Sequence, residues 1–581
     1  MSTSTDIDTG YADEADQVSI WDRIGRPVAP FAWPLVLAGA VILAAGCFLS
    51  WSYTSDVLGN LTIDFYPGAI QNLMIIAAIL AVLFALMYHG PLSRLGEWLA
   101  SATALRTLGL GSTVFMALVI ALIGLQSGGL INVMPGAWVS LVGAVLLLVG
   151  AAGLTPRASR DPLHAHLPAW LDILTIVVLL AIVLFGAAYV LDIEDGTVFS
   201  LVVLFTGLVA YTLTRAGFFT WVGIVAQTHR RVLMLGAVAV AFLFPFTQDG
   251  SDANMSIATQ VLIFASTALG LNIVVGLAGL LDLGYIAFLG AGAYIGAMFS
   301  HSAFATIGWK PNFLVVVVIG ALVSATLGLI IGSPTLRVSG DYLAIVTLAF
   351  GEIFRLAMGN LDGQDGPKLT NGPNGIPAIP DLEIGGFSFG ETHEVLGITL
   401  GRFANYYFLL LLLAAFIITV FTRLNDSRIG RGWIAIREDE KAAEAMGVNT
   451  FGLKLFAFAG GAFLAGMAGT IKAHHDVSVT PDQYIFLESA FLLAAVVLGG
   501  MGTVAGVLIG ATILKLMPEK LRFVADYRLL IFGLLLVLMM RFRPEGIVAS
   551  KRRQLEFHEE DEELADRVEE VHLVEEQEAK A

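Results

Sequence analysis

Two stretches of this 581-residue chain carry residue types that could do chemistry. His474, His475 and Asp476 are side chains of the kind that hold a transition metal, and Gly500-Met501-Gly502-Thr503-Val504-Ala505-Gly506 superficially matches the glycine turn that receives a dinucleotide. Neither has the setting its chemistry needs. Adjacent histidines on a helix diverge, whereas ligands on one face stand three or four residues apart, so the pair reads as the outer end of a membrane span. The glycine run is flanked by long apolar segments instead of a βαβ unit. Gly502, Gly506 and Gly510 repeat every four residues, the spacing that lets one helix lie close against another, and Gly292 and Gly296 make a similar pair. The chain contains no Gly-x-x-x-x-Gly-Lys-Ser/Thr phosphate loop and no His-Glu-x-x-His. It is read as a non-enzyme without metal or cofactor, and any ATP energy must come from another chain.

Ionisable residues inside apolar segments are the more informative signal, because each costs a few kcal/mol unless it is paired or wet. Asp282, Glu352, Arg355 and Glu488 are of this kind. Glu352 and Arg355, three apart, share a helix face and can neutralise each other. Together with Asn272 and Tyr285 these four are the candidates for a substrate path; the alternative places Asp282 and Glu488 at the membrane interface and makes Glu352 and Arg355 a structural pair.

The elements that must position them follow from composition. Hydrophobic residues make up 57% of the chain and charged residues 14%, with a mean hydropathy of +0.80, which is the profile of a polytopic membrane protein. The 62 glycines suit closely packed spans, and the single cysteine, Cys47, lies in an apolar run as a small packing residue. A span needs roughly 20 residues to cross about 30 Å of hydrocarbon. Sixteen segments qualify, near 34–50, 69–88, 108–126, 133–153, 169–191, 198–214, 231–247, 257–275, 278–299, 312–332, 341–358, 404–422, 453–472, 485–499, 503–517 and 527–541. The expected fold is an all-α, multi-span helical bundle, with the pair around Gly499–Thr503 read as a hairpin that does not fully span.

Charge sets the orientation. The net charge of -16 is almost entirely in the tails: residues 1–20 hold five acids and no base, and residues 554–581 hold twelve acids against Arg567 and Lys580. The body between them is near neutral and has no basic patch with interleaved aromatics, so no nucleic-acid partner is expected. Residues 1–30 are read as a disordered acidic tail and not a signal peptide, since Arg23 and Arg26 come only just before the first apolar run. With those two arginines inside, the alternation puts Arg94, Arg106, Arg157, Arg160, Arg215, Arg230, Arg231, Arg337, the Arg423–Lys454 segment, Arg541, Arg543 and Lys551–Arg553 inside as well, so both termini are expected to be cytoplasmic. Lys515, Lys520, Arg522 and Arg528 are the exceptions. Acidic residues such as Asp64, Asp192 and Asp249 fall outside, as does the Gly/Pro-rich loop 359–402, read as a cap over the pore mouth or a poorly ordered loop. In the last tail Leu564, Val568, Val571 and Val574 recur at helical spacing.

Between two of the spans lies a charged segment, RLNDSRIGRGWIAIREDEKAAEAMGVNTFGLK from Arg423 to Lys454. Its residues from Asp439 to Met446 are mostly good helix formers and Gly447 supplies a helix stop, so a short helix held outside the bilayer is expected. It is either a surface for a soluble partner or a solvated connection.

Six ordered stretches then carry a family resemblance: GLNIVVGLAGLLDLGYIAFLGAGAY, LRVSGDYLAIVTLAFGEIFR, TNGPNGIP, GRGWIAIREDEKAAEAMGVN, VVLGGMGTVAG and RPEGIV. Residues 231–548 resemble the LivM-type permease of branched-chain amino acid ATP-binding cassette importers. The resemblance implies an inner (plasma) membrane permease for Leu, Ile or Val that works with a second, LivH-like permease, two ATP-binding subunits, an extracytoplasmic substrate-binding protein and membrane lipid. It also implies that Arg437, Glu438, Asp439, Ala443, Glu444, Ala445 and Gly447 belong to a coupling helix that docks into the ATPase. Residues 31–230, with about six further spans, and the acidic tail 549–581 are additions to the family pattern. A permease for urea, short amides or other amino acids, and an ion-coupled secondary transporter, stay open as alternatives.

Overall fold

In hydrocarbon a backbone N–H has no water to bond, so an apolar run of spanning length closes its hydrogen bonds on itself as a helix. The computed structural model describes residues 21, 25–55, 57–93, 96, 98–155, 168–335, 341–364, 366–395, 397–521, 527–543 and 545–548. Each of the sixteen apolar segments contains a helix. Thirteen helical stretches among the described residues are long and apolar enough to cross a membrane. The other three are cut short: Ile286–Met298 has 13 residues, Val504–Lys520 has 17 with Pro518 inside it, and Arg528–Phe542 has 15. Most of the acidic N-terminal tail, the acidic C-terminal tail with Leu564 to Val574, and Arg94, Arg157, Arg160, Arg337, Arg522 and Lys551–Arg553 lie outside the described residues.

The chain divides into two compact units, Met1–Ala241 and Phe242–Ala581. The first holds α1 (Ala32–Cys47), α2 (Ala69–Tyr88), α3 (Ser101–Gln126), α4 (Pro135–Ala152), α5 (Ala169–Asp192), α6 (Gly196–Arg215) and the short α7 (Phe218–Thr228); α8 (Arg230–Leu243) carries the division. Its tightest seam is α1 on α4. Gly39 meets Gly143 and Gly46 meets Gly136, while Gly150 meets the backbone of Val36 and Ala32; the glycines of each helix are spaced by seven residues, about two helical turns. A Cβ on Gly150 would stand 2.7 Å from the Val36 nitrogen, so the backbones meet without side chains between them. Cys47 is buried beside this seam, its thiol donating to the Leu43 carbonyl at 3.2 Å, a packing residue.

The second unit is organised on α16 (Thr450–Asp476), which packs against α9 (Asp252–Asn272), α10 (Ile286–Met298) and α11 (Phe313–Thr335). The approach is close for the same reason. A Cβ on Gly292 would run into the backbone of Gly466, and one on Gly296 would stand 2.9 Å from the Thr470 carbonyl oxygen. Around this centre stand α12 (Asp341–Asn360), α13 (Arg402–Asn425), α17 (Phe486–Gly499), α18 (Val504–Lys520) and α19 (Arg528–Phe542). Val318, Leu322, Ile353 and Leu412 are exposed at the periphery, as expected of side chains that face lipid.

The loop 359–402 has regular structure among its described residues. It forms two small antiparallel hairpins, β1 (Glu383–Ile384) with β2 (Phe387–Ser388) and β3 (His393–Val395) with β4 (Ile398–Leu400). It is tied to the segment after α16 by Ile376 and Val479, whose amides donate to each other's carbonyls at 2.9 and 3.1 Å. Ile376, Ile379 and Leu382 are buried beneath it. Arg402 locks the arrangement: its Nε donates to Asp381 at 2.7 Å, and its Nη2 donates to the carbonyls of His474 and His475 at 2.8 and 3.0 Å, satisfying the open end of α16.

Candidate functional site

At 27 residues, α16 is about 40 Å long, and the two groups of candidate residues lie toward its two ends. At its start lies the charged segment, which the sequence reading treats as one short helix and which forms two. The first, α14 (Arg428–Glu438), begins at Ser427, whose hydroxyl accepts from the amides of Ile429 and Gly430 at 3.1 and 3.2 Å. Its apolar stripe buries Trp433 and Ile436, and the Trp433 indole donates to the Leu453 carbonyl at 2.7 Å. The second, α15 (Glu440–Ala445), is capped by Asp439, which accepts from the Ala442 amide at 3.0 Å. It stops at Gly447, where φ is +83° and the amides of Gly447 and Val448 donate back to Glu444 and Ala443. Each such cap is worth about 1 kcal/mol, and two of them fix a helix too short to persist alone.

Among the coupling candidates, Arg437 and Glu438 therefore belong to α14, Asp439 to the joint, and Ala443, Glu444 and Ala445 to α15. Ala443 is buried, while Glu444, Ala445 and Met446 are exposed. Lys454 pairs with Glu440 and anchors α15 to α16. Arg437 points inward: its Nη1 donates to the Gly276 carbonyl at 2.9 Å, while Nε and Nη2 hold Glu438 at 3.2 and 2.8 Å.

Gly276 marks a break. After Asn272 the helix widens into a π turn, Ile273–Leu277, and residues 278–285 leave helical geometry before α10 begins. Irregular backbone at this depth persists because protein groups satisfy it. Asn272, fully buried, accepts from the Gly502 amide at 2.8 Å and donates to the Thr503 carbonyl at 3.3 Å, latching the break to the turn between α17 and α18. Asp282 accepts from the Gly284 amide at 2.9 Å, the Leu283 amide donates to Thr347 at 3.0 Å, and the Tyr285 hydroxyl donates to the Gly461 carbonyl at 2.6 Å. These three candidates for the substrate path hold the break together. Gly502 is a turn residue with φ +78° and not part of the helix-packing stripe, whereas Gly506 and Gly510 lie on α18 against the backbones of Gly499 and Ala495.

At the other end of α16 two adjoining cavities open. One, of about 540 Å³, is lined by Ser256, Gln260, Arg402, Lys472, His475, Asp476 and Glu488 together with apolar side chains such as Ile263 and Leu289. The second, of about 370 Å³, has Ile485, Leu487, Phe491, Leu514 and Ile531 in its wall, with Glu519 as a further charged group. Gln260, Phe264, Glu488 and Lys515 line both. Glu488 pairs with Lys515 at 3.2 Å, and the Lys515 ammonium stands 4.7 Å from the centre of the Phe264 ring. Lys515, one of the exceptions to the charge alternation, is thus a half-buried lysine neutralised by a glutamate. Sequence reading missed it because its partner is on the other arm of the hairpin. Glu352 and Arg355 pair on α12 at 2.9 Å, with Asp482 3.5 Å from Arg355, and line neither cavity.

His475 shares a hydrogen bond of 2.7 Å with Thr259 and one of 2.6 Å with Asp476, while His474 donates to the Pro380 carbonyl at 2.9 Å. The two rings diverge, and no group of three or more metal-ligating side chains occurs among the described residues.

Comparison with known proteins adds a family to this geometry. The family model described as branched-chain amino acid transport system / permease component matches residues 254–540. The high-affinity branched-chain amino acid transport system permease protein LivM of Salmonella typhimurium is 38% identical over 344 residues, which are 57% of this chain and 77% of that protein; LivM of Escherichia coli matches equally. The corresponding LivH protein of Escherichia coli is 26% identical over 295 residues, 49% of this chain and 91% of its own. No solved structure matches the chain.

Proposed function

The chain belongs to the LivM-type family of branched-chain amino acid permeases, and we propose that it forms the translocation path of an ATP-binding cassette importer for Leu, Ile and Val, with residues 231–548 as the transport core. It pairs with a second, LivH-like permease, receives substrate from a binding protein outside the membrane, and is driven by two separate ATP-binding subunits. The observation that carries the coupling assignment is the bond from Arg437 to the Gly276 carbonyl: a surface helix pair on one side of the bundle is joined directly to the break in a core helix. A partner that displaces α15 moves α14, and α14 bears on the break. Glu444, Ala445 and Met446 form the face offered to that partner.

The test replaces Ala445 with Trp and Glu444 with Lys in the reconstituted importer. Both side chains are exposed, so the protein still reaches the membrane, while leucine uptake falls and ATP hydrolysis no longer tracks it. Normal uptake would remove the coupling role from α15, and leucine transport in ATP-free vesicles under an ion gradient would overturn the importer assignment itself.

A further inference from the structure

We propose that the Glu488–Lys515 pair is the subsite that receives the head of a free aliphatic amino acid, with the neighbouring chamber receiving its side chain; this rests on the importer reading above.

Three observations converge on it. The pair stands on the partition between the two cavities and belongs to the lining of both. The other charged groups of the larger cavity are held in structural bonds: Lys472 with Asp476 at 2.5 Å, and Arg402 with Asp381 and the carbonyls that end α16. Beyond the pair, the chamber wall is aliphatic and aromatic, with Leu487, Phe491, Leu514 and Ile531 in it, except for Glu519. A zwitterion carries the mirror image of an internal ion pair. Its ammonium replaces Lys515 at the Glu488 carboxylate, its carboxylate replaces Glu488 at the Lys515 ammonium, and neither protein charge is left unpaired in the exchange. Gln260, at the same partition, is placed to hold a further polar atom. A ligand with only one of the two charges strands the opposite protein charge in a partly dehydrated site, which is where truncating one partner costs most. The arrangement thus selects a compact head bearing both charges joined to an apolar tail.

The experiment uses Leu514→Cys in a Cys47→Ser background, within the full importer, so that the pair is intact and this chain's one thiol reports on the chamber, its labelling read on this chain alone. Modification by a small thiol reagent is timed with leucine, with 4-methylpentanoate, which lacks the ammonium, and with leucinamide, which lacks the carboxylate. Leucine at about ten times its half-protecting concentration slows modification about tenfold, and the other two do not. Lys515→Met abolishes the protection and Lys515→Arg retains it. Equal protection by all three compounds, or none by leucine, in an importer that still transports leucine overturns the subsite alone. Failure of the unmodified importer to transport any branched-chain amino acid overturns the reading beneath it.

Discussion

Replacing Arg437 with Leu tests whether the surface helices act on the core. The guanidinium donates at 2.9 Å to the buried Gly276 carbonyl at the end of the π turn, where the helix supplies no further amide donor. A hydrogen bond from a charged donor is worth about 1.5–3 kcal/mol. Because α14 can bias the break only by the interaction it makes with it, that figure bounds what the bond transmits, and it corresponds to a loss of about 10- to 100-fold at 1.4 kcal/mol per decade. The measured quantity is leucine transported per ATP hydrolysed in proteoliposomes holding the whole importer. Glu438→Gln is the control, since Glu438 binds the same arginine at an exposed position without touching the break; exposed pairs are worth about 0–1 kcal/mol, so its loss stays below about fivefold. If Arg437→Leu retains the unmodified ratio within about twofold, well under the bound set by the bond, the connection from α14 to Gly276 is structural decoration and the coupling assignment loses its physical basis.

Neighbouring glycines of α16 should respond in opposite directions. Gly460→Ala meets nothing within 4 Å and raises thermal stability, since Ala is favoured over Gly in a helix by about 0.5–1 kcal/mol; Gly461→Ala places a Cβ 2.9 Å from the Gly270 oxygen and Val274 and lowers it by about 1–3 kcal/mol, read by melting in detergent. Asn272→Ala unlatches the Gly500–Thr503 turn and costs about 1–3 kcal/mol by the same assay, because the Gly502 amide loses its acceptor. Arg402→Met removes the ion pair to Asp381 and two bonds to the end of α16, so limited proteolysis within 359–400 accelerates while the rest of the chain is cut at its former rate.

Hydropathy and helix stops were legible in the sequence because each is a sum over near neighbours. All sixteen apolar segments contain a helix and Gly447 ends α15 for that reason. The family resemblance was legible too, being carried by ordered local text. Partnership was not. Lys515 sits 27 residues from Glu488, and only the hairpin of α17 and α18 brings them together; read alone, the lysine looked like a charge on the wrong side of the membrane. Arg437 and Gly276 are 161 residues apart, so the bond that ties the charged segment to the core has no local signal. Gly502 shares a four-residue spacing with Gly506 and Gly510 but takes a left-handed turn, since Asn272, 230 residues earlier, holds its amide. Local composition decides where a chain enters hydrocarbon. Which buried charge is neutralised, and by what, is decided by long-range packing, because the cost of stranding a polar group is set by the partner that the fold delivers.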